Sequence, residues 1–286
     1  MDAHLDRLID LAFDEDLGPS GDITTQATVL PEMRGEASVK AKEKLVLCGV
    51  GVFVRVFERL DPTVELELLA KDGDEIESGT FVIKARGRAH SLLIGERPAL
   101  NFLMRLSGIA TQSRAFSRAL AGTSTRVVDT RKTTPGWRAI EKHAVKVGGG
   151  GNHRMGLFDG VLIKDNHIEA AGGIRAAVER ARKHGHHLVK VEVEAGSLQQ
   201  VDECLAVDAD AILLDNMDDA LLTASVQKIR AHEKSTGRKV TVEASGNMTL
   251  ARLPSVGRTG VDIVSMGALT HQARSVDLSM KLKLVK

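Results

Sequence analysis

The chain has 286 residues, 43% hydrophobic and 27% charged, with a formal net charge of +1. Those proportions fit an ordinary globular protein and disfavour a disordered or membrane-embedded one. With no Tyr, one Trp and near neutrality, the chain also lacks the broad basic balance and stacking aromatics of a nucleic-acid binder.

The opening residues Met1, Asp2, Ala3 and His4 have neither the cationic nor the apolar region of a secretory signal. No stretch approaches the roughly 18 apolar residues of a membrane span, so a cytoplasmic protein is expected. Cys48 and Cys204 stand far apart with no ligand partner at close spacing, which predicts neither a disulfide framework nor a zinc site.

Leu5, Leu8, Ile9 and Ala12 recur with helical spacing, and Gly18 and Pro19 end that helix. Ala37, Val39 and Ala41 alternate with Ser38, Lys40 and Lys42, the pattern of a half-buried strand. An apolar helix is predicted over 49–60. Val64, Leu66 and Leu68 then alternate with Glu65 and Glu67, and a turn at Asp72, Gly73 and Asp74 leads to a run at Phe81, Val82 and Ile83. Strands mixed with helices predict a small α+β domain in the first part of the chain.

A long helix is expected over 95–120, burying Ala99, Leu103, Leu106 and Ala110, with a break at Gly108 and Pro98 near its first turn. Its other face carries Arg97, Asn101 and Arg105, a pattern that an ordinary solvated face fits equally well.

After 125 a unit repeats: an apolar β-rich run, polar residues at its end, then a helical segment. The runs are 127–128, 161–163, 188–193, 211–214, 240–242 and 261–264. Their spacing fits a parallel α/β array, and six units favour an incomplete barrel. The predicted boundaries are 1–113 for the small domain and 114–286 for the barrel, with the C-terminal tail packing back on the first domain.

Chemistry gathers at the run ends, as is usual for such folds. Arg131, Lys132, His153, Arg154 and Lys164 concentrate cations in a nearly neutral chain, which suits a small polyanionic ligand. Arg138, Lys142 and Lys146 fit a solvated basic helix as well as a site. Lys190, Glu192 and Glu194 alternate with valines, so all three point to one side and call for a wet pocket. Glu192 and Asp215 would hold sugar hydroxyls or a hydrated Mg²⁺. Ser245, Gly246, Asn247 and Met266, Gly267, Ala268 are Gly-containing run ends suited to a phosphate, and the glycine run Gly148–Gly151 is expected to hug a ligand. A Schiff-base role for Lys164 is disfavoured, because nearby acids support its ammonium form.

The stretches Asp129–Gly136 (DTRKTTPG), Gly149–Arg154 (GGGNHR), Ile163–His167 (IKDNH) and Leu213–Asn216 (LLDN) resemble the quinolinate phosphoribosyltransferase family, type II phosphoribosyltransferases of de novo NAD synthesis. The likeness spans nearly the whole chain. A molybdenum-transport-associated paralogue of the same fold is the alternative, and Asn152, His153 and Arg154 favour the quinolinate enzyme.

The resemblance implies an N-terminal α/β sandwich, a C-terminal open α/β barrel and a homodimer with shared sites. It implies that Arg131, His153 and Arg154, joined by Arg97 of the partner, face the quinolinate carboxylates. Thr130, Lys132, Lys164, Glu192 and Asp215 would hold phosphoribosyl pyrophosphate and Mg²⁺. Ser245 to Asn247 and Met266 to Ala268 would take a phosphate, with His271 nearby. Pro98 departs from the family pattern and is expected to bias Arg97 away from helical geometry.

Overall fold

The computed structural model describes residues 2–285. In chain order the first elements are α1 (Asp2–Leu17), α2 (Ile23–Thr28), β1 (Arg34–Ala41), β2 (Leu45–Val46), α3 (Val50–Leu60), β3 (Glu65–Leu68), β4 (Glu75–Ile76), β5 (Phe81–Arg88) and α4 (Ala89–Ala119). Next come β6 (Arg126–Val128), α5 (Arg138–Val147), β7 (Val161–Ile163), α6 (Asp165–Ala171), α7 (Ile174–His184), β8 (Val191–Ala195), α8 (Leu198–Ala206) and β9 (Ala211–Asp215). The last are α9 (Asp219–Thr236), β10 (Thr241–Ser245), α10 (Leu253–Arg258), β11 (Ile263–Ser265), α11 (Ala268–His271) and β12 (Leu278–Val285).

Two units arise from this order. One takes the chain up to Arg114 together with Thr134–Gly149 and the segment from Leu269 onward; the other takes Ala115–Thr133 and Gly150–Ala268.

The first unit holds an antiparallel sheet in the order β12-β1-β5-β3. Ala37, Val39 and Ala41 point into its core, as their alternation requires, and meet Val82, Ile83 and Ala85 of β5 in the same buried layer. The last strand pairs with β1 along its full length, from Arg34 opposite Val285 to Ala41 opposite Leu278. On α3 the buried Phe53 and Phe57 rings contact each other at 5.2 Å. That helix is tied to α1 by two rungs one turn apart, Arg55 to Asp6 at 2.8 Å and Arg59 to Asp10 at 2.6 Å.

Helix α4 runs unbroken for 31 residues, which corrects three expectations. Pro98 lies well inside it rather than in its first turn, and Arg97 keeps helical geometry. Gly108 does not break the helix: a Cβ there would fall 1.9 Å from the Arg274 carbonyl oxygen, so glycine admits the close approach of that backbone. The polar face is not simply solvated either. Arg105 reaches Glu141 of α5 at 3.0 Å and donates to the Thr270 and Ala273 carbonyls, while Phe102 stacks on Trp137 at 4.7 Å. Lys142, on the same α5, is only 2% exposed and so is no solvated cation.

The second unit is a parallel six-stranded sheet in the order β6-β11-β10-β9-β8-β7, the arrangement of an open α/β barrel. Strand positions largely follow the predicted runs, but three begin later. Val191 starts β8 because the Asp210 carboxylate accepts its N–H, and Asp262 accepts the N–H of Val242 in the same way near the start of β10; β11 opens at Ile263. Lys190 therefore precedes its strand, where it lines a cavity with Arg182, His186 and Arg238 instead of sharing the Glu192 and Glu194 face.

Candidate active site

Polar groups collect at the C-terminal ends of the parallel strands. At the end of β6 the fully buried Asp129 accepts the His153 N–H at 2.9 Å and the Asn152 side-chain amide. This clamp fixes the segment that carries His153 and Arg154. In the glycine run before it, Gly148 has a packing role. Gly148 and Gly149 end α5, and a Cβ on Gly148 would lie 2.5 Å from the Ala110 carbonyl oxygen. Gly151 bridges to Val128 at the sheet edge.

His153 Nε2 lies 3.3 Å from both Glu192 and Glu243. These two carboxylates push the imidazole up to about 10 against its burial. Its Nδ1, however, accepts the Arg154 N–H at 2.7 Å, which opposes a second ring proton there. Burial in turn raises Glu192, with the neighbouring Glu243 adding to the effect. The geometry thus sets a protonated Nε2 between the two carboxylates. Glu243 is 2% exposed, and its Oε1 has no hydrogen-bond partner among the described residues. Sequence reading missed this residue.

Arg154 donates to the Gly160 carbonyl at 2.9 Å. Burial first, and then the nearby Arg131 charge, hold its guanidinium below the ordinary value. Two guanidinium groups kept close against their mutual repulsion are relieved by a bound anion. Thr130 is half-buried, Arg131 and Lys132 are exposed, and the Thr130 hydroxyl accepts the Lys132 N–H at 3.1 Å.

Lys164 directly follows β7, at the N-cap of α6, and its Nζ is 3.5 Å from Glu194. The register explains the choice: Ile163 pairs with Val193, so the next residues of each strand come level. Burial raises the Glu194 carboxyl, Lys164 opposes that shift, and the Asp215 charge adds to it. Glu194 therefore shares a locale with Lys164 and Asp215, whereas Glu192, expected from the sequence to act together with Asp215, lies against His153. Asp215 accepts the Asn216 side-chain amide at 2.6 Å, and Asn216 in turn accepts that of Asn247 at 3.2 Å. Asn216 and Asn247 both adopt positive φ, as does Gly246 between Ser245 and Asn247, a strained set that packs strand ends closely. Beside them, the buried Met266 donates its N–H to Val128, and Gly267 and Ala268 lead into α11.

Two predicted residues belong to the first unit. Arg97 is exposed on α4, and His271 is exposed at the end of α11.

Comparison with known proteins matches the same regions. Residues 109–281 match the quinolinate phosphoribosyl transferase C-terminal domain and residues 22–107 the N-terminal domain. The chain belongs to the quinolinate phosphoribosyl transferase family. A Synechocystis sp. protein named probable nicotinate-nucleotide pyrophosphorylase (carboxylating) is 44% identical, over 94% of this chain and 89% of its own length. One of the same name from Bacillus subtilis is 42% identical, over 98% and 94%. The solved nicotinate-nucleotide pyrophosphorylase from Francisella tularensis superposes with a TM-score of 0.91 at 34% identity, covering 99% of this chain and 97% of that one. The Francisella protein therefore shares both the fold and nearly the full length of the present chain.

Proposed function

We propose that the chain transfers the phosphoribosyl group of phosphoribosyl pyrophosphate to quinolinate with decarboxylation, giving nicotinate mononucleotide, pyrophosphate and CO₂ in de novo NAD biosynthesis. The observation that carries this reading is the near-full-length identity to two carboxylating pyrophosphorylases. The strand-end chemistry agrees with it.

Arg131 and Arg154, with His153 beside them, face the two quinolinate carboxylates, and Arg97 of the partner subunit joins them in a homodimer. Lys132 and Lys164, with Thr130, bind phosphoribosyl pyrophosphate; Ser245 to Asn247, Met266 to Ala268 and His271 line its phosphate end. Glu194 and Asp215 offer hard oxygen donors beside Lys164, which fits Mg²⁺. They replace the pairing of Glu192 with Asp215 read from sequence. Bound Mg²⁺ supplies positive charge to the pyrophosphate oxygens.

As pyrophosphate leaves, positive charge develops at the anomeric carbon, and the Glu194 and Asp215 carboxylates stabilise it while the lysines hold the leaving group. Attack by the ring nitrogen gives a pyridinium, whose nitrogen accepts the electron pair released when the adjacent carboxylate departs as CO₂. Positioning is the protein's contribution to that second step. No helix among the described residues is long and apolar enough to cross a membrane, and a cytoplasmic location is part of the proposal.

Incubation with quinolinate, phosphoribosyl pyrophosphate and Mg²⁺ should yield nicotinate mononucleotide and CO₂. Nicotinate, lacking the second carboxylate, leaves a guanidinium unpaired and should react about 10³-fold more slowly. Equal turnover of the two acids would refute the assignment.

A further inference from the structure

Away from the strand-end site, Cys48, Asp72 and His143 bring a sulfur, a carboxylate oxygen and an imidazole nitrogen within 4.8 Å of one another. They come from three places in the first unit: the residue before the α3 N-cap, the β3–β4 loop, and α5. Sequence spacing hides such a set, since nothing near Cys48 in the chain is a ligand.

We propose that these three side chains form a binding site for a thiophilic divalent cation, Zn²⁺ by donor chemistry, with water in the fourth position. Sulfur, nitrogen and oxygen donors together suit Zn²⁺ rather than Mg²⁺ or Ca²⁺. The His143 Nε2 to Asp72 Oδ2 separation is 3.4 Å, long for a hydrogen bond. It is close to the tetrahedral edge of about 3.3 Å that metal bonds of about 2.0–2.1 Å produce.

Two of the donors are held from behind. Asp72 Oδ1 accepts the Gly49 and Val50 N–H groups at 3.0 Å, which turns Oδ2 toward His143. Ser107 grips the Cys48 backbone on both sides, accepting its N–H at 2.9 Å and donating to its carbonyl at 3.1 Å. Such outer partners are what orient the ligands of a metal centre. Half of the His143 side chain is open to solvent, so a cation has an entry path and a place for its water.

Without a cation, burial and then the Asp72 charge keep the Cys48 thiol protonated. Binding replaces that S–H by a sulfur–metal bond and releases its proton to solvent. The cation would tie α5 to the β3–β4 loop and the start of α3, and its effect is on stability rather than on turnover.

Co²⁺ reports the donor set directly, because thiolate ligation gives a sulfur-to-metal charge-transfer band. Chelator-treated full-length protein titrated with Co²⁺ should develop that band, and Zn²⁺ should displace it. Cys48→Ser should abolish the band, and Cys204→Ser should leave it intact. His143→Ala, at an exposed position, should weaken Co²⁺ binding at least tenfold and remove a Zn²⁺-dependent rise in Tm. Absence of a sulfur band, its survival in Cys48→Ser, or its loss in Cys204→Ser overturns the proposal. If Cys48→Ser does not fold, His143→Ala decides, and unchanged affinity in that variant means a structural His–Asp contact only.

Discussion

A Cβ placed on Gly246 would fall 2.1 Å from Oδ1 of Asn216, the residue whose amide holds Asp215. The turn after β10 thus constrains the carboxylate at the end of β9. Gly246→Ala should cost about 1–2 kcal/mol for its left-handed φ alone and also push Asn216 away from Asp215. The expected result is a folded protein with a modestly lower Tm and kcat/KM reduced by about tenfold or more. Wild-type kinetics would mean that Asn216 does not position Asp215.

Glu194 and Glu192 share a strand face but differ in company. Glu194→Gln should lower kcat/KM by on the order of 10²–10³, the loss associated with one preorganised electrostatic group. Burial already opposes its charge, so Tm should not fall. Glu192→Gln should instead raise KM for quinolinate, through His153. Steady-state kinetics with each substrate varied in turn separates the two; identical profiles would undo the distinction.

The carboxylates that face His153 Nε2 raise its proton affinity, and removing one lowers it. Activity that depends on the protonated cluster should therefore persist into the alkaline range set by a value of about 10. In Glu243→Gln the alkaline limb of the kcat/KM profile should move to lower pH. A limb that stays in place or moves upward contradicts the role given to Glu243.

Arg97→Ala and Lys164→Ala should each be inactive. When the two are unfolded and refolded together, a mixed dimer contains one site with both residues intact only if Arg97 acts across the interface. Recovered turnover is expected, on the order of a quarter of wild type for random pairing with one working site in each hybrid. Subunit exchange without recovery refutes the shared site.

Asp61 offers a stability test remote from chemistry. Burial pushes its carboxyl up, but hydrogen bonds from Ser91, Thr63 and Arg88 outweigh that and hold it well below the usual carboxylate range. A folded-state value below the unfolded one of about 3.9 gives stability that is present above that pH and lost as pH falls below it. Asp61→Asn should cost about 1–3 kcal/mol at neutral pH, and the gap from wild type should narrow below about pH 4. Denaturant titrations at several pH values would show this.

Much of the site was legible because strand ends announce themselves: an apolar run that stops at Asp129, Lys164 or Asp215 leaves a polar residue at a sheet rim. The partners of those residues were not legible. Whether Lys164 meets Glu192 or Glu194 depends on the pairing of Ile163 with Val193, and register is a property of two strands. Glu243 directly follows the run 240–242 and reads as one of several polar run-end residues, whereas it lies inside β10 between β9 and β11, and only that placement makes it face His153. Gly108 and Gly148 read as a helix break and a ligand loop, yet both serve close packing, since the atom that would collide with a Cβ is supplied by a distant segment. Pro98, itself buried, shows the opposite error, a local preference overridden by the packing of one face of a long helix.

The pairing of β12 with β1 has a consequence for synthesis. Arg34 to Ala41 leave the ribosome well before the strand that covers one of their edges, Leu278 to Val285, because the whole second unit lies between them in the chain. During that interval β1 presents a row of unpaired backbone groups, the kind of edge that recruits foreign strands. The charges Arg34, Glu36 and Lys40 within the strand, and Lys42 just after it, discourage such encounters. Nascent chains stalled before Leu278 should consequently depend on chaperones far more than completed ones.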